Sequence, residues 1–111
     1  MKTVVLSLAE ALARGPAPEG NLAIPIQLNE HIEIEIYAPR GTDPQEPHDR
    51  DEVYIVASGT AKFFDGSKRH PVAPGAYVFV AAHQAHRFED ISEDFAVWVF
   101  FYGEVQPAPS A

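Results

Sequence analysis

The sequence predicts an all-β fold: a single antiparallel β-barrel or jelly roll preceded by one short helix. Three observations carry that expectation. Apolar and polar residues alternate with a period of two, most clearly through His31-Ile32-Glu33-Ile34-Glu35-Ile36-Tyr37. β-branched and aromatic runs are separated throughout by Gly, Pro and Asp clusters. A length of 111 residues supplies one hydrophobic core and is too short for two. The whole span, 1–111, is therefore read as one domain.

The elements follow in order. Ser7-Leu8-Ala9-Glu10 fits a capping box, in which the serine hydroxyl accepts from a backbone N–H three residues on and the glutamate accepts in return. Gly15 and Pro16 stop the helix, which is expected over 7–14. The strand 31–37 places its isoleucines on one face and Glu33, Glu35 and Tyr37 on the other. Pro39, Pro44 and Pro47 cannot donate to a sheet ladder, so that stretch is a loop. Strands 52–57 and 60–64 flank Ser58-Gly59, and Asp65-Gly66 follows, which reads as two hairpins. Strands are also expected over 76–81 and 86–89. The segment Phe95–Tyr102 is apolar on both faces, and needs the barrel interior on one side and a helix or second subunit on the other. A homodimer is the economical cover. Residues 104–111, rich in proline and alanine, are expected to fray.

Composition narrows the chemistry. The net charge is −8 and the basic residues are scattered, Lys68-Arg69-His70 apart, which argues against a nucleic-acid partner. There is no cysteine, so a metal must be held by histidine and carboxylate. No apolar run approaches the roughly 20 residues that span a bilayer. Lys2 precedes an apolar stretch from Val4, but Glu10 interrupts it after about six residues, short of the roughly 7–15 of a secretory signal. A cytoplasmic protein without membrane contact is expected.

His48 and Glu52 lie four apart, on one face if the chain is extended there. Their neighbours Glu46, Asp49, Arg50 and Asp51 allow a second reading, a solvated acidic loop. Glu52, however, opens the apolar run Val53-Tyr54-Ile55-Val56. An inward carboxylate at that position needs a partner, either a metal or Arg50.

The run from Pro47 to Gly59 resembles the first motif of the cupin family, with Glu52 and Gly59 at its spacing. The run from Gly75 to Phe88 resembles the second, with Gly75 eleven positions before His86. Where the first motif carries a further histidine, two residues before His48, this chain has Glu46, and Ala81 and His83 replace the usual proline and glycine of the second. The resemblance implies a cupin barrel with His48, Glu52 and His86 as metal ligands and Glu46 as a candidate fourth. Two imidazoles and a carboxylate suit Fe(II), Mn(II), Ni(II) or Zn(II). The competing readings are a metal-free His86 hydrogen-bonded to Glu52, and a Glu46 that is only an exposed loop acid.

Period-two alternation from Glu52 and His86 takes Tyr54 and Phe88 inward, and Trp98 is a further candidate wall of a small-molecule pocket. Glu35 and Tyr37 join it if their face points in. His83 reads as a turn residue, and His31 and His70 as surface residues. Two functions stand against each other. One is a metal-dependent enzyme of dioxygenase, isomerase or decarboxylase type acting on a small molecule. The other is a non-catalytic ligand-binding or sensor domain with a degenerate, metal-free site.

Overall fold

The capping box forms as its sequence dictates. Ser7 Oγ accepts from the Glu10 N–H and the Glu10 carboxylate accepts from the Ser7 N–H, each at 3.1 Å. The helix it starts, α1 (Leu8–Leu12), is shorter than the expected 7–14. Arg14 and Gly15 instead donate to carbonyls three residues back, tightening the last turn.

The computed structural model describes residues 2–109, so Ser110 and Ala111, the end of the tail expected to fray, lie outside the described residues. Eight strands follow α1: β1 (Ile24–Leu28), β2 (Ile32–Tyr37), β3 (Asp51–Ser58), β4 (Ala61–Phe64), β5 (Arg69–Val72), β6 (Tyr77–Val80), β7 (Arg87–Glu89) and β8 (Ala96–Tyr102). They form a five-stranded sheet, β1-β2-β8-β3-β6, facing a three-stranded one, β5-β4-β7. Every pairing is antiparallel.

One strand lies where the sequence marked none, β1, and β5 is the second arm of the hairpin expected after Asp65-Gly66. Both are edge strands, and each contains a proline, Pro25 and Pro71. Proline is tolerated at an edge because its missing N–H faces away from the ladder. The register also slips between Pro25 and Gln27, as a bulge would require.

The expected hairpin at Ser58-Gly59 is corrected. β3 and β4 belong to different sheets, and the turn is a corner where the chain crosses between them. Gly59 takes φ +74° there, a left-handed conformation that glycine adopts without penalty. The second hairpin forms: β4 pairs with β5 around Asp65, whose side chain caps the Ser67 and Lys68 N–H groups at 2.8 and 2.7 Å.

The main core fills the space between the sheets. Tyr54, Val56, Val97 and Val99 come from the large sheet, Phe63, Val72 and Phe88 from the small one, and Phe95 plugs the corner beneath Gly59. A second cluster lies on the outer face of the large sheet, where Ala11, Leu8 and Leu12 of α1 cover Ile36, Ala96 and Trp98. The helix thus supplies part of the cover that β8 requires. Residues 104–109 have no regular structure, yet Gln106 is pinned: its N–H reaches Asp49 O, and its carbonyl accepts from His83 Nε2, both at 2.7 Å.

Candidate metal centre

Antiparallel register decides which face of each strand looks into the barrel. Glu33, Phe101 and Glu52 lie side by side across β2, β8 and β3, and Glu35, Val99 and Tyr54 form the next row. All six line one cavity of about 290 Å³, together with Tyr37, Gln45 and His48. The polar face of β2 therefore points inward, and its isoleucines lie on the outer side of the sheet.

The proline-rich loop 39–50 closes the cavity, and Asp43 fixes it. Although in a loop, Asp43 is only 8% exposed. Its carboxylate accepts from the Tyr37 hydroxyl, from Gln45 Nε2 at 2.6 Å and from the Phe88 N–H at 2.8 Å. One acid thus ties the loop to both sheets, and burial beside that acid holds the Tyr37 hydroxyl well above the usual phenol range.

His48 at the end of this loop, Glu52 near the start of β3 and His86 just before β7 converge, each offering one ligand atom within 4.8 Å of the others. His86 Nε2 is 2.8 Å from Glu52 Oε1, and His48 Nε2 is 3.9 Å from the same oxygen. The His48 ring packs edge-on against Phe101, with centroids 4.9 Å apart.

Glu52 is 1% exposed, and neither of its oxygens has a hydrogen-bond partner. The short approach to His86 Nε2 lacks hydrogen-bonding geometry. The neighbouring bond sets the tautomer. His86 Nδ1 lies 2.8 Å from the Gln84 carbonyl, which can only accept, so the ring proton sits on Nδ1. In neutral imidazole the Nε2 lone pair then faces the Glu52 carboxylate, and two electron-rich atoms meet in a buried place. A proton or a metal cation resolves that meeting, and a backbone carbonyl on the far ring nitrogen is the usual support of a metal-ligating histidine. The donor set and its environment fit a divalent transition metal.

Without a metal the same charges shift the titrations. Burial lowers the His86 pKa, but the Glu52 carboxylate, the Gln84 carbonyl and the charge of Asp43 outweigh it, and the net direction is upward from 6.5. Glu35 is pushed up from 4.5 to about 7, by burial first and then by its contact with Glu33 and the charges of Glu33 and Glu52. A carboxyl raised in this way takes up a proton on folding, so stability falls as pH rises from 4.5 to about 7. His86 acts with the same sign, its contribution complete below 6.5 and lost as pH climbs past its raised value. Metal-free protein is therefore expected to melt lower at pH 8 than at pH 5, and Glu35→Gln to shrink that difference. An unchanged difference in the variant would count against the buried acid pair.

The site residues expected from sequence divide clearly. His48, Glu52 and His86 meet, and Tyr54 lines the cavity with its hydroxyl 3.0 Å from His86 Nε2. Glu46 does not join them: it is exposed, because the loop turns its neighbour Gln45 inward instead. Trp98 is no pocket wall, since its parity on β8 takes it to the outer cluster under α1. Phe88 stands behind the site in the core, its ring 5.0 Å from that of Tyr54. Asp43 and Gln45 were not expected. Neither lies in a periodic segment, and no spacing rule marks a residue in a proline-rich loop.

Comparison with known proteins agrees with this architecture. The family model described as a cupin domain matches residues 33–102. The chain belongs to the cupin family. The cupin is 50% identical over 60 residues to an uncharacterized protein of Streptomyces coelicolor, an alignment covering 54% of this chain and 57% of that protein. The solved structure of DMSP lyase DddQ from Ruegeria pomeroyi is similar with a TM-score of 0.58 at 23% identity, over 74% of this cupin and 43% of that chain. The cupin thus spans about half the length of each. A cupin superfamily protein from Desulfitobacterium hafniense gives a TM-score of 0.68 at 17% identity, with 94% of both chains covered. At these identities the structural likeness is one of fold. Among the described residues no helix is long and apolar enough to cross a membrane.

Proposed function

We propose that this cupin binds a divalent transition metal, Fe(II), Mn(II), Ni(II) or Zn(II), through His48, Glu52 and His86, and acts with it on a small molecule held in the barrel cavity. The observation that carries this reading is the buried Glu52 carboxylate, without a hydrogen bond and facing the Nε2 of a histidine whose other nitrogen is already committed. A bound metal would supply Lewis acidity or an oxygen-activating centre, the chemistry of dioxygenase, isomerase and decarboxylase cupins.

The chain's own groups shape the rest. Val99 and Phe101 give the cavity an apolar wall, and Glu33, Glu35, Tyr37 and Gln45 a polar one, the combination that orients a small ligand. Glu35, with its pKa near 7, holds a proton that it can give to or take from a ligand at neutral pH. Arg50 stays beside Glu33, at 3.9 Å, and leaves Glu35 to the cavity. The test is calorimetric titration of chelator-stripped protein with each of the four metals. One saturable site in the wild type, lost in His86→Ala, is expected; equal binding by the variant would remove the reading.

The same proposal includes a homodimer. Ile34, Phe100, Val53 and Phe79 lie side by side across the outer face of the large sheet, beyond the reach of α1. Phe79 is 48% and its strand neighbour Tyr77 64% exposed, and a second copy of the chain covers such a flat apolar face. Light scattering is expected to give a dimer mass at micromolar concentration and a monomer for Phe79→Asp. A monomeric wild type would contradict it.

A further inference from the structure

We propose that the side-chain carbonyl oxygen of Gln45 is the fourth protein ligand of the metal centre, in the role the sequence pattern leaves to Glu46. The inference rests on the metal site proposed above and adds a residue that neither motif contains.

Gln45 lines the cavity beside His48 and Glu52, whereas Glu46 is exposed. Its amide can lie only one way round. The Asp43 carboxylate, 2.6 Å from Gln45 Nε2, accepts and cannot donate, so the amide nitrogen faces Asp43 and the oxygen faces the cavity. Asp43 is itself held by the Tyr37 hydroxyl and the Phe88 N–H, so the orientation of Gln45 is set by contacts to both sheets.

The oxygen points at the metal ligands. Gln45 Oε1 lies 3.3 Å from His48 Nε2 and accepts from the Tyr54 hydroxyl at 2.8 Å, and that hydroxyl is 3.0 Å from His86 Nε2. Metal–nitrogen and metal–oxygen bonds are about 2.0–2.2 Å, which puts ligands at right angles about 3 Å apart, tetrahedral ligands about 3.4 Å apart and opposite ligands about 4.2 Å apart. The observed separations are 3.3 Å for Gln45–His48, 2.8 Å for Glu52–His86 and 3.9 Å for His48–Glu52, all on that scale. A carbonyl oxygen has two lone pairs; Tyr54 takes one and the second remains for the metal. Two imidazoles, one carboxylate and one neutral carbonyl then leave further positions open to water or a ligand.

The test loads chelator-stripped protein with Mn(II) and measures both affinity and the water-proton relaxation of the bound ion, which counts coordinated waters. Gln45→Ala is expected to weaken binding about tenfold or more and to raise relaxivity by one added water, while Glu46→Ala matches the wild type. Gln45→Met, which keeps the volume without the oxygen, is expected to behave like Gln45→Ala and guards against collapse of the loop. Melting of all forms in chelator separates loss of fold from loss of a ligand. Wild-type relaxivity in both Gln45 variants, even with weakened binding, would make Gln45 a positioning residue and overturn the inference while leaving the three-residue site intact. A wild type that binds none of Fe(II), Mn(II), Ni(II) and Zn(II), or binds Mn(II) equally well as His86→Ala, would overturn the metal site and this inference with it.

Discussion

Glu52→Leu is expected to raise the melting temperature of the metal-free protein and to abolish its response to metal. In the metal-free state Glu52 is a carboxylate at 1% exposure whose oxygens lack hydrogen bonds. Above the raised pKa of His86, where the imidazole is neutral and no ion pair is broken, exchanging this buried group for an apolar side chain removes a desolvation cost of roughly several kcal/mol. The Tyr54 hydroxyl, 3.0 Å from His86 Nε2, can turn its one proton from Gln45 to that nitrogen, so the histidine is not orphaned by the change. In the wild type the same carboxylate becomes an asset once metal is present. At a free metal concentration about 100 times Kd, binding stabilises by about 2.7 kcal/mol, and for a domain of this size that corresponds to a rise of roughly 10–20 °C. The two proteins should therefore cross, the variant melting higher without metal and the wild type higher with it. A variant that is strongly destabilised without metal would show that Glu52 serves the fold rather than a ligand.

The second large effect is structural. Gly59→Ala should lower the melting temperature by roughly 10 °C or more, for reasons unconnected with the metal. A Cβ at this corner would lie 2.6 Å from Phe95 Cα and 2.7 Å from Phe95 N, and backbone atoms cannot step aside as a flexible side chain would. Overpacking a filled site costs about 1–3 kcal/mol, and the left-handed φ of +74° adds strain of order 1–3 kcal/mol. Gly75→Ala is the control, with φ +91° but nothing within 4 Å of the new methyl, and only the smaller backbone cost is expected. Similar losses from the two substitutions would mean that the contact with Phe95 is unimportant. The glycine shared with the first cupin motif is thus accounted for by packing at the crossing between sheets.

How much of this was legible in the sequence depended on periodicity. His31–Tyr37 alternates, so the strand and its two faces were recoverable, although which face looked inward was not, because isoleucines and glutamates both have a use inside a barrel with a polar site. β8 shows the limit of the method. With apolar residues at every position, Val97, Val99 and Phe101 cannot be told from Trp98 and Phe100 by parity, and the outer residue Trp98 was placed in the pocket. Edge strand β1 was hidden by Pro25, since a proline reads as a breaker unless the edge position is known. The motif resemblance pointed to His48, Glu52 and His86, which the fold brings together, whereas Glu46 was a candidate only because it stands where the first motif has a histidine, and the loop turns it outward. Asp43 and Gln45 act through contacts between residues distant in sequence, such as Asp43 with Phe88, and these exist only once both sheets have assembled.

The most direct test of the metal site is elemental analysis of the purified protein beside its His48→Ala and His86→Ala variants, because it needs no substrate. Near-stoichiometric transition metal in the wild type, lost from both variants while they remain folded, is the result expected. Absence of metal from the wild type even after incubation with Fe(II), Mn(II), Ni(II) and Zn(II), or its retention by both variants, would contradict the assignment and leave a ligand-binding barrel in its place.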